Sequence, residues 1–408
     1  MREFLQPLLL LGTVQQYDWG KTGSDSLVAL LAGRNSESGT FAEYWFGAHP
    51  KSSSKLIIDR APVGLREAIA SNPEVILGKR VVEAWGKELP FLFKILSVAR
   101  PLSIQVHPDL RLAEELHKKD PANYPDSNHK PEIGVAATKV QMLCGFRSNP
   151  DFKKKVLGCP QIVEALSEKT LSDLEDISEE SGAAVKEQVY RSVMNLSAEQ
   201  VEELCGQLYT RTEKIDDPEI ERWLEIVSDL YPKGDVGVFS FFMLNIVTLQ
   251  PGEAVFSLPG VPHAYLSGDI VECMANCDNT IRAGLTSKFK DTDVLLDMVD
   301  YRVDQPCLVE TEVEGMETRY LTPAKEFYLT KIESKIPLPV GGQVQGPAIA
   351  FCLDGAAYAT VEEEGEGRVS IESGQALFFS AALNELKPLE LGLEGTIYLT
   401  TINPVFWE

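Results

Sequence analysis

Phe327-Tyr328-Leu329-Thr330-Lys331-Ile332 opens a series of short apolar runs that continues with Ala348–Leu353, Arg368–Ile371, Ala376–Phe379 and Thr396–Ile402. Each run is rich in β-branched and aromatic residues, and turn residues separate them, including an acidic turn at Glu362 to Glu366. Short strands at near-regular spacing predict a small sandwich or a jelly-roll barrel. The same texture appears upstream. Pro90–Leu96 and Leu102–His107 read as strands, and Phe239–Leu249 is predicted as another. Between these β-rich parts, from roughly residue 150 to residue 232, the apolar period becomes helical. Ser197 followed by Gln200 has the form of a capping box. Val201, Leu204, Cys205 and Leu208 then share one helix face, as do Trp223, Leu224, Val227 and Leu230. The chain is therefore predicted to be mainly β with an α-helical insert.

A chain of 408 residues holds two or three domains. Its formal net charge of −23 argues against nucleic acid or an anionic membrane as the main partner. An anionic small molecule would need a locally basic pocket or a metal ion. The seven cysteines are scattered and form no CxxC, which fits buried free thiols in a reducing compartment. Leu8–Leu11 is too short for a signal-peptide core or a membrane span, so a cytoplasmic location is expected.

The chemistry concentrates in four segments. In Ser103-Ile104-Gln105-Val106-His107, residues two apart share a strand face. Ser103, Gln105 and His107 thus point one way, which suits either a wet or metal-bearing cavity or a half-exposed strand. In His129-Lys130-Pro131-Glu132, the proline forces Lys130 into an extended conformation and places Lys130 and Glu132 on one side. A carboxylate that holds a cation beside an amine that moves a proton is a useful pair; a surface salt bridge is the plain alternative. Leu258-Pro259-Gly260-Val261-Pro262-His263-Ala264-Tyr265 is a rigid turn leading into a strand, with His263 and Tyr265 on one face. In the stretch from Asn276 to Thr286, Asp278, Thr280 and Arg282 share a face if extended, and Asp278 is placed to orient the Arg282 fork. Together Gln105, His107, Glu132 and His263 make a reasonable divalent-metal set. Two histidines and a carboxylate equally suit a non-haem iron oxygenase, and spacing does not choose between them.

Five motifs, in order along the chain, resemble those of the type I mannose-6-phosphate isomerases. They are Tyr17-Asp18-Trp19-Gly20, the run from Ala42 to Pro50, the run from Leu102 to Asp109, Asn128-His129-Lys130-Pro131-Glu132, and the run from Asp278 to Asp291. Tyr44 and Phe46 stand where that family often carries Leu and Met, at packing positions. The resemblance implies cupin-like jelly-roll barrels. One catalytic barrel would be discontinuous over 1–148 and 235–320, with a helical domain inserted at 149–234 and a metal-free C-terminal barrel at 321–408. It implies one zinc per chain on Gln105, His107, Glu132 and His263, with Arg282 catalytic. It also implies interconversion of mannose 6-phosphate and fructose 6-phosphate through an enediol, feeding mannose and GDP-mannose metabolism, in a monomer whose partner is a sugar phosphate.

For that reaction Lys130 is the expected proton carrier, with Glu43 and Asp278 as alternatives. Tyr265, or water on the metal, would assist ring opening. Ser103, Lys94 and Lys288 are expected to meet the phosphate beside Arg282. His49 and His129 are expected in supporting contacts near the site, and His117 in a structural one. A different metal-cupin enzyme and a silent sugar-binding protein are the rival readings.

Overall fold

The structure, a computed structural model, describes residues 2–340, 344–360, 368–386 and 391–408. The acidic turn at Glu362–Glu366 lies outside the described residues. Two large antiparallel sheets dominate, each of ten strands. One runs in the order 311–314, 317–320, 328–340, 391–401, 348–360, 376–379, 8–11, 55–58, 61–64, with 368–372 pairing beside 348–360. The N-terminal strand Leu8–Leu11 thus enters the sheet built by the C-terminal strands, pairing Leu8 with Phe378 and Leu10 with Leu56. Its alternation explains the choice: Leu8 and Leu10 are buried while Leu11 is exposed. The four-leucine run is a strand of the core, with no need for a membrane.

The second sheet follows the order 244–249, 140–146, 263–275, 91–98, 43–47, 13–15. Strands 132–136, 254–257, 104–106 and 281–284 branch from it and curl it into an open, cupin-type barrel. The two sheets share a core. Phe351 of the first sheet lies 5.0 Å from Phe46 and 5.3 Å from Phe93 of the second, ring centre to ring centre. Each of these rings is fully buried and contributes about 2 kcal/mol by leaving water. Phe46 packs at the position where the resemblance noted a departure.

The helical insert is as predicted. Six helices run between Asn149 and Leu230. Ser197 and Gln200 form the reciprocal capping box at the start of Ala198–Tyr209. Val201, Leu204, Cys205, Leu208, Trp223, Leu224 and Val227 face the core, and Leu230 is half-buried.

The predicted strand at Phe239–Leu249 needs correction. Only Leu244–Leu249 is extended; Val236–Phe239 is a 3-10 turn and Ser240–Met243 a helical turn. Asp235 caps this turn by accepting from the Gly237 N–H at 2.7 Å. Phe239, Phe241, Phe242 and Met243 are all buried in the core shared by insert and barrel. A run buried on every side carries no period, so composition alone misassigned it.

Candidate metal centre and sugar-phosphate cleft

Strand 104–106 lies between 281–284 and the start of 263–275. Gln105 is in register with Arg282 on one side and with His263 on the other. Register partners project from the same sheet face, so Arg282, Gln105 and His263 form a row across three strands. Cys144 extends that row beyond His263. Glu132, at the start of strand 132–136, reaches the same point from the neighbouring ladder, where it pairs with Met274 and Ser257.

His107, Glu132 and His263 converge there, all buried, with one ligand atom of each within 4.8 Å of the others. His263 Nε2 lies 3.0 Å and His107 Nε2 3.4 Å from Glu132 Oε1. The imidazoles are fixed from behind. His107 Nδ1 donates to the Asn279 carbonyl at 3.0 Å, and His263 Nδ1 to the Val261 carbonyl at 2.9 Å. That tautomer leaves both Nε2 lone pairs pointing at the carboxylate. Two acceptors and an anion facing one another without a proton is a costly arrangement. His107 Nε2 is indeed a buried nitrogen without a hydrogen-bond partner. Burial and the nearby Lys130 charge hold the His107 pKa down to about 4, so the ring stays neutral. Glu132 is held well below the usual carboxylate range by Lys130 and the imidazoles, against its burial. A divalent cation satisfies all three groups at once, and the donor set suits zinc. Gln105 faces the same cavity.

Around this point opens a cleft of about 730 Å³. Of the predicted site residues, Glu43, Lys94, Ser103, Gln105, Lys130, Glu132, Tyr265, Asp278, Arg282 and Lys288 line it, with His107 and His263 buried beneath. Lys130 Nζ sits 3.3 Å from Glu132 Oε2. Arg282 has no acidic partner among the described residues, and burial lowers its pKa.

Three of the predicted residues have other company. Lys94 is buried between Glu43 at 3.4 Å and Glu272 at 3.2 Å, with its ammonium 4.9 Å from the centre of the Trp45 ring. Asp278 does not hold Arg282: its carboxylate takes Lys51 at 2.7 Å and His49 at 3.4 Å, which hold its pKa far below the usual carboxylate range against its burial. The buried Tyr265 hydroxyl lies over Gly134, where a Cβ would come within 2.0 Å of it.

The supporting histidines separate. His49 is buried, set edge-on to Trp45 and paired with Asp278. His129 instead bonds Glu326 at 2.7 Å, and His117 the Tyr124 carbonyl.

Glu272, Arg100 and Asn279 escaped the sequence reading. Glu272 is a carboxylate buried in the apolar run Ile270–Ala275, and that incongruity was the available signal. Its orientation was hidden by a register shift between Tyr265 and Ser267, beside Gly268 at φ +116. The shift moves the cleft-facing positions from odd to even, from Tyr265 to Glu272 and Met274. Burial raises the Glu272 pKa despite Lys94. Arg100 lines the cleft from an exposed turn. Asn279 is fully buried, and its side chain donates to the Asp126 and Asn128 carbonyls at 2.6 and 2.9 Å. It therefore ties the loop before Lys130 to the carbonyl that orients His107.

An open cupin-type barrel with a buried His–Glu–His centre under a cation-bearing cleft defines a metal-dependent enzyme of small, anionic molecules. A profile of the phosphomannose isomerase type I catalytic domain matches residues 8–149. Mannose-6-phosphate isomerase 1 of Arabidopsis thaliana is 38% identical over 389 residues, covering 90% of this chain and 88% of its own. The rat mannose-6-phosphate isomerase is 37% identical, covering 93% and 94%. A zinc-bound crystal structure of mannose 6-phosphate isomerase superimposes with a TM-score of 0.82 at 31% identity, over 97% of this chain and 99% of that one. The chain belongs to the type I phosphomannose isomerase family.

Proposed function

We propose that this chain interconverts mannose 6-phosphate and fructose 6-phosphate, as a zinc-dependent aldose–ketose isomerase working through an enediol. The observation that carries this reading is the buried His107–Glu132–His263 set, with its orphaned Nε2, opening on a cleft where Arg282 has no acidic partner among the described residues. Gln105, His107, Glu132 and His263 would hold one zinc, which supplies Lewis acidity toward the oxygens of the sugar.

The chain's own groups then divide the work. Lys130, whose Nζ lies 3.3 Å from Glu132 Oε2 at the cleft wall, moves the proton between the two carbons. Glu43 and Asp278 are less free for that task. Glu43 accepts from the Trp45 indole and pairs with Lys94, while Asp278 is held by Lys51 and His49. Arg282 faces the oxygen on which enediolate charge develops. Tyr265, whose pKa burial pushes far up, stays a neutral hydroxyl able to donate during ring opening. At the mouth, Lys288, Ser103 and Arg100 offer donors to the phosphate. Lys94 is already neutralised by two carboxylates, so as a phosphate anchor it gives way to Lys288.

The catalytic work falls to 1–148 and 235–320, with a structural role for 321–408. In support, every lining residue of the cleft but Leu230 and Tyr231, at the end of the insert, falls within 17–148 or 235–288, and no histidine follows His263. A monomer is the state the family resemblance implies. A reducing, cytoplasmic setting accords with seven free cysteines, and no helix among the described residues is long and apolar enough to cross a membrane. Supply of mannose phosphates to GDP-mannose synthesis is the metabolic role that follows.

The test is metal quantification with turnover of mannose 6-phosphate before and after chelation. Activity lost to chelator and restored by zinc is expected. A folded, zinc-loaded protein without isomerase activity would overturn the assigned reaction.

A further inference from the structure

Leu285 adopts φ +52, and the other non-glycine residues at positive φ among the described residues are Asp59 and Arg60 in the turn between strands 55–58 and 61–64. A bulky side chain in the left-handed region costs energy and persists only where its surroundings fix it. Here the surroundings are specific. The Leu285 N–H donates to Asp235 Oδ1 at 2.6 Å, and its carbonyl accepts from the Tyr231 hydroxyl at 2.6 Å. The Asp235 carboxylate, buried, also accepts from the N–H groups of Gly237 and Thr286. Behind it two glycine backbones touch: a Cβ on Gly284 would meet Gly237 Cα at 2.4 Å, and one on Gly237 would meet the Leu285 nitrogen at 2.6 Å.

The clamped residue lies between two functional groups of the cleft. Three residues before it is Arg282, in register with Gln105; three after it is Lys288, at the mouth. A left-handed residue reverses the local chain path, so the dihedral at Leu285 decides where the Thr286–Lys288 turn stands relative to Arg282. Tyr231 and Asp235 come from the chain leaving the helical insert, so the insert's exit sets the geometry of a turn on the barrel.

We propose that Asp235, with Tyr231, is a positioning residue for phosphate recognition. By holding Leu285 left-handed it aims the Thr286–Lys288 turn at the phosphate end of the substrate and leaves the reacting end to Arg282 and the metal centre. This inference rests on the reading of Lys288 and its turn as the phosphate-binding edge.

The experiment is steady-state kinetics of zinc-loaded Asp235→Asn and Tyr231→Phe with mannose 6-phosphate, together with inhibition by inorganic phosphate. Asp235→Asn is expected to raise KM about tenfold with kcat within about twofold of the parent, the pattern of lost binding common to ground and transition states. The inhibition constant for inorganic phosphate rises by the same factor. Tyr231→Phe, which removes one hydroxyl from a half-buried ring, moves both constants in the same direction by a smaller factor, and carries the test if Asp235→Asn fails to fold. A fall in kcat with KM and phosphate inhibition unchanged would overturn the proposal, as would a lowered melting temperature with both constants unchanged. Absence of turnover in the zinc-loaded parent would strike the assigned reaction instead, and phosphate binding by calorimetry in parent and variant would still decide the clamp.

Discussion

Gln105 and Arg282 are register partners on adjacent antiparallel strands, so the amide and the guanidinium rise side by side from one sheet face. On its other flank Gln105 meets His263. The Arg282 charge, proposed above to face the developing oxyanion, is thereby built at a fixed distance from the metal centre, by strand spacing rather than by a loop.

Arg282 is accordingly expected to act on the chemical step. Arg282→Ala should lower kcat by about 100-fold or more with a smaller change in KM, as for loss of one preorganised donor to a transition-state oxyanion. Arg282→Lys should recover only part of it, because a point charge does not reproduce the planar fork. Initial rates at saturating and limiting substrate check both.

Metal loading should depend on the imidazole tautomers as well as on the ligands. His107→Ala and Glu132→Gln are expected to abolish zinc retention, measured by metal analysis after dialysis. Asn279→Ala leaves the carbonyl behind His107 but frees the loop that positions it. A loss of about tenfold or more in zinc affinity is expected, and unchanged affinity would count against this role.

The Lys94 network should be a stability element. Lys94→Met leaves Glu43 and Glu272 buried without their shared cation. Breaking a buried pair in this way costs about 3–5 kcal/mol, read by urea unfolding at neutral pH. Acidification should restore part of the loss, since protonating Glu272 removes one of the stranded charges.

Acid should also unfold the metal-free protein through His107. Its folded pKa of about 4 lies below the ordinary 6.5. Between those values the unfolded chain binds a proton that the folded chain does not, so stability falls as pH drops from 6.5 toward 4. The buried ring contributes about 3 kcal/mol over that window. Urea unfolding of chelated protein at pH 7 and pH 5 measures the slope, and His107→Asn should flatten it.

What the sequence determined is what local chemistry can encode. The capping box at Ser197 and Gln200, the insert faces around Val201 and Trp223, and the C-terminal strands follow from period and turn residues. The alternation in Ser103–His107 put Gln105 and His107 on one face, and the motif order pointed to the family. Tertiary structure alone decided the rest. That Leu8–Leu11 completes a sheet more than 300 residues away in sequence, that Phe239–Met243 is helical, and that Glu272 turns into the cleft past a register shift are long-range facts. So is the partnering of Lys94 and Asp278, whose charges went to Glu43, Glu272, Lys51 and His49. A buried charge chooses whichever partner the fold brings within reach, and strand period carries no information about what lies across a sheet or beyond a bulge.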